Sequence, residues 1–344
     1  MRGCHPWGKT AHAHGRESYV GVHTTAETKA RSAMRVKVLG SAAGGGFPQW
    51  NCNAPLSRAV RAGEPGLKRR TQSSIAVSNT SGKWALFNAS PDIREQIEAN
   101  RDLSPAPDAP LRSTPISCVV LTNADVDHIA GLLSLREREP FVLYATKRIM
   151  DVLHQNPIFN VLNPDYVERR LLELGTTIDL ESPDGPMGVT IETFAVPGKV
   201  ALFMENEAAA GQNFGTEDGD TVGLRISETG GASHLFYIPG CAAVDSALRN
   251  RLKDAPCLLF DGTVFTDDEM RETGVGEKTG ARMGHMYISG DGGSMEALED
   301  LNIARKVYVH INNTNPVLRE GSDAERSVIE NGWEVSYDGM EITL

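Results

Sequence analysis

The chain predicts a single large α/β domain rich in β-sheet. Three observations carry that expectation: numerous short β-branched and apolar runs, helical patterns interleaved with them, and no apolar run of about 18 residues that would span a bilayer. A hydrophobic fraction of 40% and a charged fraction of 23% lie in the globular range, and 344 residues suffice for one extensive core. A net charge of −11 and no concentrated basic face disfavour a nucleic-acid partner and favour a small or neutral substrate.

Residues 1–33 stand apart. They carry His5, His12, His14 and His23, five Lys or Arg and two acids, without apolar periodicity. A signal peptide needs an apolar stretch of about 7 to 15 residues, and here His, Gly and Thr interrupt the best candidate. We read the segment as a disordered extension or a misplaced translation start, with one domain over 34–344. Scattered histidines lack the fixed spacing of a metal-gathering tail.

From Val36 a short strand runs into the glycine-rich Gly40–Gly46 turn. Neither a dinucleotide fingerprint nor a phosphate-loop Lys-Ser/Thr follows, so the turn either is purely structural or brings backbone close to a ligand. Gln72–Ser78 and Trp84–Asn88 read as strands, with Ser90 as N-cap and Pro91 as first residue of a helix through Glu98. After a proline-rich loop, Ile116–Leu121 reads as a central strand buried on both faces. Further strands are expected at Phe141–Ala145, Val189–Val196, Thr221–Ile226, Leu235–Ile238, Leu258–Phe260 and Val307–His310, and a helix at Lys147–His154. Glu205–Asp220 reads as a mobile surface loop, and Thr273–Gly284 as a lid before His285. Cys4, Cys52, Cys118, Cys241 and Cys257 are odd in number and dispersed, a pattern of reduced thiols rather than a disulfide framework.

The chemistry concentrates in Thr122–Leu132, directly behind the buried strand. Residues two apart in an extended segment face the same way, so Asn123, Asp125 and Asp127 are expected to converge, with His128 joining at the turn into a helix ending near Arg136. Adjacent carboxylates repel unless one is protonated or a cation lies between them. A metal site is the sharper reading; a solvated acidic helix cap is the competing one.

Here the chain resembles the metallo-β-lactamase superfamily. Asn123-Ala124-Asp125-Val126-Asp127-His128 occupies the place of its His-x-His-x-Asp-His signature, and Pro197-Gly198-Lys199, Asp261-Gly262-Thr263, Gly284-His285 and Val309-His310 follow in order. The resemblance implies an αββα sandwich of two mixed sheets flanked by helices, with metals at one edge. With Gly44–Cys52 and Asn88–Asp92, the likeness narrows to the coenzyme pyrroloquinoline quinone (PQQ) biosynthesis protein B family, over Met34–Leu344.

What the resemblance implies is tempered by its departures. Asn123, Asp125 and Lys199 stand where the hydrolases have histidines, which argues against a dinuclear zinc site. The surviving ligands are Asp127, His128, Asp261 and His310, with Asp125 beside them, a mixture close to the two-His, one-carboxylate set of iron oxygenases. Iron(II) is therefore the expected metal and zinc the alternative. His285 is a further ligand or an acid/base group, or else an ordinary loop histidine. Lys199 fills the vacated metal position with its own charge, or is plainly solvated. Of three clustered cysteines common in relatives only Cys52 remains, with Ala54 and Ser57 at the other spacings, so a structural zinc site is expected to be absent or rebuilt. The implied function is PQQ biosynthesis, through iron-dependent hydroxylation of a tyrosine-derived precursor. Alternatives are a carrier moving PQQ or its precursor toward the periplasm, and a metal-dependent hydrolase. The implied partners are that precursor, other PQQ biosynthesis proteins and a second copy in a homodimer, with the protein in the cytoplasm.

Overall fold

The computed structural model describes residues 33–79, 82–206, 208 and 215–344. The extension read from residues 1–32, and residues 207 and 209–214 of the loop expected to be mobile, lie outside the described residues. Two mixed sheets of seven strands each build the domain. The first contains β1 (Arg35–Gly40), β2 (Ser74–Ser78), β3 (Trp84–Phe87), β4 (Ile116–Val120), β5 (Phe141–Thr146) and β6 (Val167–Leu172). The second contains β7 (Thr177–Ser182), β8 (Gly185–Ala195), β9 (Val222–Glu228), β10 (His234–Ile238), β11 (Leu258–Asp261), β12 (Lys306–Val309) and β13 (Trp333–Val335). The C-terminal β14 (Glu341–Thr343) returns to the first sheet, giving the orders β14-β1-β2-β3-β4-β5-β6 and β13-β12-β11-β10-β9-β8-β7.

Alternation along the strands explains the layers. Leu235 and Tyr237 of β10, Leu259 of β11, and Val307 and Val309 of β12 join Val36, Val77, Phe87 and Val120 of the first sheet in one core between the sheets. Their neighbours Phe236, Ile238, Phe260 and Tyr308 face the other way, onto helices containing Leu248, Leu252 and Val328. Leu86, Val119 and Leu143 do the same on the outer face of the first sheet, against Ile93, Ile149 and Leu153. A strand buried on both faces has no polar positions to alternate, which is why the central runs read as continuously apolar. The result is the expected αββα sandwich, and the matching β4 is central, parallel to both β3 and β5.

Several local expectations are corrected. The helix after Pro91 spans Ile93–Ala99 and Ser90 does not cap it: the buried Ser90 hydroxyl accepts from Asp92 N–H at 3.2 Å, while the Asp92 carboxylate accepts from Gln72. The helix behind Asp125 is a single turn, Val126–Ile129, followed by a 3-10 stretch over Ala130–Leu135. The described ends of the supposedly mobile 205–220 loop are tied down, Asp220 by a two-pronged ion pair with Arg148 at 3.0 Å on each side. Among the described residues no helix is long and apolar enough to cross a membrane.

Candidate metal centre

The site forms where strands end. β4 leads through Thr122 into the turn bearing Asp125, Asp127 and His128; β11 ends on Asp261; β12 ends at Val309, and His310 follows with φ of 58°. β11 and β12 are parallel neighbours, so Asp261 and His310 emerge side by side, and the carboxyl ends of parallel strands are the usual place for ligands in open α/β sheets. A left-handed φ is uncommon for a non-glycine residue and is tolerated where surrounding contacts hold it. Here it turns the imidazole back toward the first sheet.

His310 is the hub. Its Nε2–H donates to Asp127 Oδ2 at 3.1 Å, and its Nδ1 lies 2.8 Å from Thr263 Oγ1. The Thr263 hydroxyl donates to Asp261 Oδ1 at 2.6 Å. His285 Nδ1–H donates to Asp261 Oδ2 at 2.6 Å, and the His285 ring stacks on His310 with centroids 5.0 Å apart. On the other side His128 meets His310 edge-on at 5.3 Å. Two groups of three result, Asp127–His128–His310 and Asp261–His285–His310, each with its ligand atoms within 4.8 Å of one another.

One atom pair shows what the site lacks from protein alone. His128 is buried, yet among the described residues neither of its ring nitrogens has a hydrogen-bond partner, and Asp127 Oδ2 is 3.8 Å from its Nε2. An orphaned buried polar group costs roughly 1–3 kcal/mol, so natural sites rarely leave one without an unseen partner. Burial pushes the His128 imidazole down to about 4, leaving it neutral with a lone pair available. A divalent cation beside Asp127 fits that geometry, and imidazole and carboxylate are ligands it accepts.

The protonation pattern agrees. Burial alone would lower His310, but the hydrogen bond and charge of Asp127 raise it above its ordinary value. Burial pushes the Asp127 carboxyl up, and the neighbouring imidazoles of His128 and His310 more than reverse it. Asp261, 0% exposed, is likewise held low against its burial by His285. A cation entering here must displace the proton that His310 shares with Asp127. Metal uptake below the raised pKa of His310 is therefore expected to release protons, with affinity rising as pH climbs toward that pKa and levelling above it. Titration calorimetry in two buffers of different ionisation heat checks this; identical heats in both would contradict it.

The remaining expected residues divide. Asp125 joins neither group: its Oδ1 accepts from Leu202 N–H at 3.1 Å, and burial followed by the Asp127 charge raises its carboxyl. Asn123 accepts from Asp125 N–H at 3.0 Å, and Asn123, Asp125 and Asp127 line one cavity, although the chain becomes helical at Val126 rather than staying extended. Asp261 already accepts four donors, from Cys241 N–H, Thr263 N–H, the Thr263 hydroxyl and His285, which makes it an orienting group for His285 as well as a potential ligand. Lys199 is not solvated; its Nζ sits 2.6 Å from Glu205 Oε1. All of these line or adjoin one cavity of about 380 Å³, to whose wall the 273–284 segment contributes Lys278 and Met283. Cys52 lines a separate cavity, its Sγ accepting from Ala54 N–H at 3.4 Å.

Sequence reasoning gave no role to Thr263, Glu205 or Arg282. Thr263 belongs to the Asp261-Gly262-Thr263 station and lies two residues after Asp261, so the same-face rule points to it. Glu205 and Arg282 are 77 residues apart and carry no local signal.

Comparison with known proteins agrees with the architecture. Residues 83–311 match the model of the beta-lactamase superfamily domain. The chain is 51% identical over 307 residues to coenzyme PQQ synthesis protein B of Gluconacetobacter diazotrophicus, spanning 89% of this chain and 98% of that one. Identity to the protein of the same name from Rhizobium meliloti is 49% over 314 residues, spanning 91% and 99%. The crystal structure of Zn2+-bound PqqB from Methylobacterium extorquens superposes with a TM-score of 0.84 at 48% identity, covering 90% of this chain and all of that one. A diphosphatase of the PhnP family, at 19% identity and a TM-score of 0.63, shares the fold.

Proposed function

Since this chain belongs to the coenzyme PQQ synthesis protein B family of the beta-lactamase superfamily, we propose that it serves PQQ biosynthesis as an iron-dependent oxygenase, hydroxylating the ring of a tyrosine-derived precursor. The observation that carries the reading is the Asp127–His128–His310 group, two imidazoles and one carboxylate, with the His128 ring nitrogens lacking a hydrogen-bond partner among the described residues. That donor set is the one used by non-haem iron(II) oxygenases, and zinc, which the Methylobacterium relative contains, is the alternative occupant. When bound there, iron(II) supplies the activation of dioxygen that no side chain can provide.

The chain's own groups have the remaining work. Asp127, His128 and His310 hold the metal. Asp261 fixes His285 with its proton on Nδ1, leaving Nε2 without a partner among the described residues and able to accept or return a proton, as an orienting carboxylate does for a catalytic imidazole. Thr263 ties Asp261 to His310 and so keeps the two imidazoles in register. Lys199 adds fixed positive charge to the cavity wall.

In the net reaction one oxygen atom enters the ring, the other leaves as water, and two electrons come from an added reductant. Iron-loaded protein with ascorbate and a tyrosine-containing precursor peptide is expected to form hydroxylated product under isotopic dioxygen, with label incorporated, and none under argon. Equal yields in the two atmospheres would rule out the oxygenase reading. Tight binding of the coenzyme without turnover in any metal form would instead describe a carrier.

A further inference from the structure

Two features lie outside the work of the metal centre: the Gly40–Gly46 turn and the cavity beside Cys52. That cavity, of about 510 Å³, shares two wall residues with the metal cavity, Gln49 and Met270. The glycine turn runs along the shared wall. A Cβ added to Gly44 would lie 3.6 Å from the Asp127 carboxyl carbon, and one added to Gly45, at φ of 89°, would stand 2.8 Å from Gln49 Cγ. Only backbone without side chains fits so closely between a metal-ligating carboxylate and Gln49. Met270 is held by Asn312, whose Nδ2 lies 3.1 Å from its sulfur.

Hydrogen bonds of one polarity run along this wall. The Glu269 carboxylate accepts from the Thr314 hydroxyl at 2.5 Å, the Thr314 oxygen accepts from Asn312 Nδ2 at 2.6 Å, and Asn312 Oδ1 accepts from Asn313 Nδ2 at 3.3 Å. Asn313 Nδ2 also donates to Gln49 Oε1 at 2.7 Å. An asparagine amide has two N–H donors and one carbonyl acceptor, and here both donors are engaged. The carbonyl remains. Asn313 is only 3% exposed and lines the Cys52 cavity, yet its Oδ1 has no hydrogen-bond partner among the described residues. A buried acceptor is normally paired, and the group this one lacks is a donor. The loop across the cavity is tied down: Arg61 donates to the backbone carbonyls of Gln49, at 2.5 Å, and of Cys52, and Arg58 to that of Asn53 at 2.5 Å.

We propose that the Cys52 cavity is a second compartment of the substrate site, in which Asn313 Oδ1 accepts an N–H of the ligand, amide or ammonium, on an arm that passes Gln49 and Met270. The phenol ring at the metal belongs to the functional reading above, on which this rests; the nitrogen-reading compartment is specific to these residues. It favours phenols with a nitrogen on the side chain over those without one.

Two readouts, neither of them turnover, keep its failure separable from that of the oxygenase reading. Zinc-loaded protein is titrated at pH 8, above the value of about 7 to which burial pushes the Glu269 carboxyl, so that Glu269 only accepts. One pair of probes is N-acetyltyrosine and its ester analogue, 2-acetoxy-3-(4-hydroxyphenyl)propionate, in which oxygen replaces the N–H. The other is tyrosine and 3-(4-hydroxyphenyl)propionate, which tests the ammonium. The N–H member of at least one pair is expected to bind roughly fivefold more tightly, the scale of one hydrogen bond, and the pair that shows it identifies the donor. Asn313→Ala should erase the preference and Asn313→Asp, which keeps the acceptor, should retain it, with metal content unchanged in both. The second readout needs no variant. Cys52 is half-buried in this cavity while Cys118, Cys241 and Cys257 are buried. Its alkylation by iodoacetamide, followed by peptide mass spectrometry, should slow several-fold under saturating N-acetyltyrosine or tyrosine and be unaffected by p-cresol, which is too short to leave the metal cavity. Equal affinities within both pairs, or no binding of any probe, overturn the proposal. So does a preference that survives Asn313→Ala, and so does Cys52 alkylation indifferent to both nitrogen-bearing probes.

Discussion

His310→Ala is expected to abolish tight metal binding and turnover together, with an affinity loss of at least about 100-fold. His310 is the one residue common to both potential ligand groups, so its removal dismantles each. Loss of outer partners alone typically costs 10- to 100-fold in metal affinity, and removal of a direct ligand should exceed that. The φ of 58° carries backbone strain of about 1–2 kcal/mol for any residue with a Cβ, and alanine lacks the side-chain contacts that hold His310 there, which mixes site with fold. His310→Asn separates them, because asparagine tolerates the left-handed region and can still hydrogen bond to Thr263. Both variants should lose metal on dialysis, measured by elemental analysis, while the asparagine protein keeps the wild-type far-ultraviolet circular dichroism. Asp127→Ala and His128→Ala should behave like the asparagine variant. Full metal retention across this series would show that the ion, if any, sits elsewhere.

Gly131→Ala should produce a large loss of stability, about 3 kcal/mol or more. The added Cβ would stand 2.1 Å from the carbonyl oxygen of Ser90 and 2.7 Å from that of Ala89, both backbone atoms that cannot swing away. The contact is close because two segments are stitched together: Gly131 N–H donates to Ala89 O and Ala89 N–H to His128 O, each at 2.8 Å. Overpacking a well-filled interior typically costs 1–3 kcal/mol, and more where the backbone itself must shift. The movement would carry the Val126–Ile129 turn, and with it Asp127 and His128, away from His310, so weakened metal binding should accompany the lower unfolding midpoint. Denaturant unfolding within about 0.5 kcal/mol of wild type would show that the segment yields without cost.

The two predictions differ in how far the sequence anticipates them. His310 is legible as a candidate ligand through the family resemblance, which has a station at Val309-His310. Gly131 looks like any glycine in a helical pattern, and its indispensability comes from the 89–90 backbone lying against it.

The strand readings follow the same division. Interior strands such as β4, β10 and β12 announce themselves as apolar runs because both faces are covered. β6 and β7 escape notice because they are edge strands: Glu168, Arg169 and Arg170 in one, Asp179 and Glu181 in the other, interrupt the apolar pattern with the charges that edges commonly carry. The single-turn helix at Val126 was mistaken for a longer one because the periodicity through Leu135 does not distinguish α from 3-10 geometry.

By itself the sequence determined the buried strands of a sheet-rich α/β domain and the polar cluster behind β4, since these follow from local alternation and residue chemistry, while the sandwich and the other ligand stations came from the family resemblance. Only the tertiary structure decided that Asp127 meets His310 across 183 residues, that Thr263 joins His310 to the Asp261–His285 pair, that Asp125 turns to Leu202, and that Glu205 is clamped between Lys199 and Arg282. Contacts of that kind depend on how strands from two sheets are stacked, and no periodicity along one strand records where the other sheet will lie.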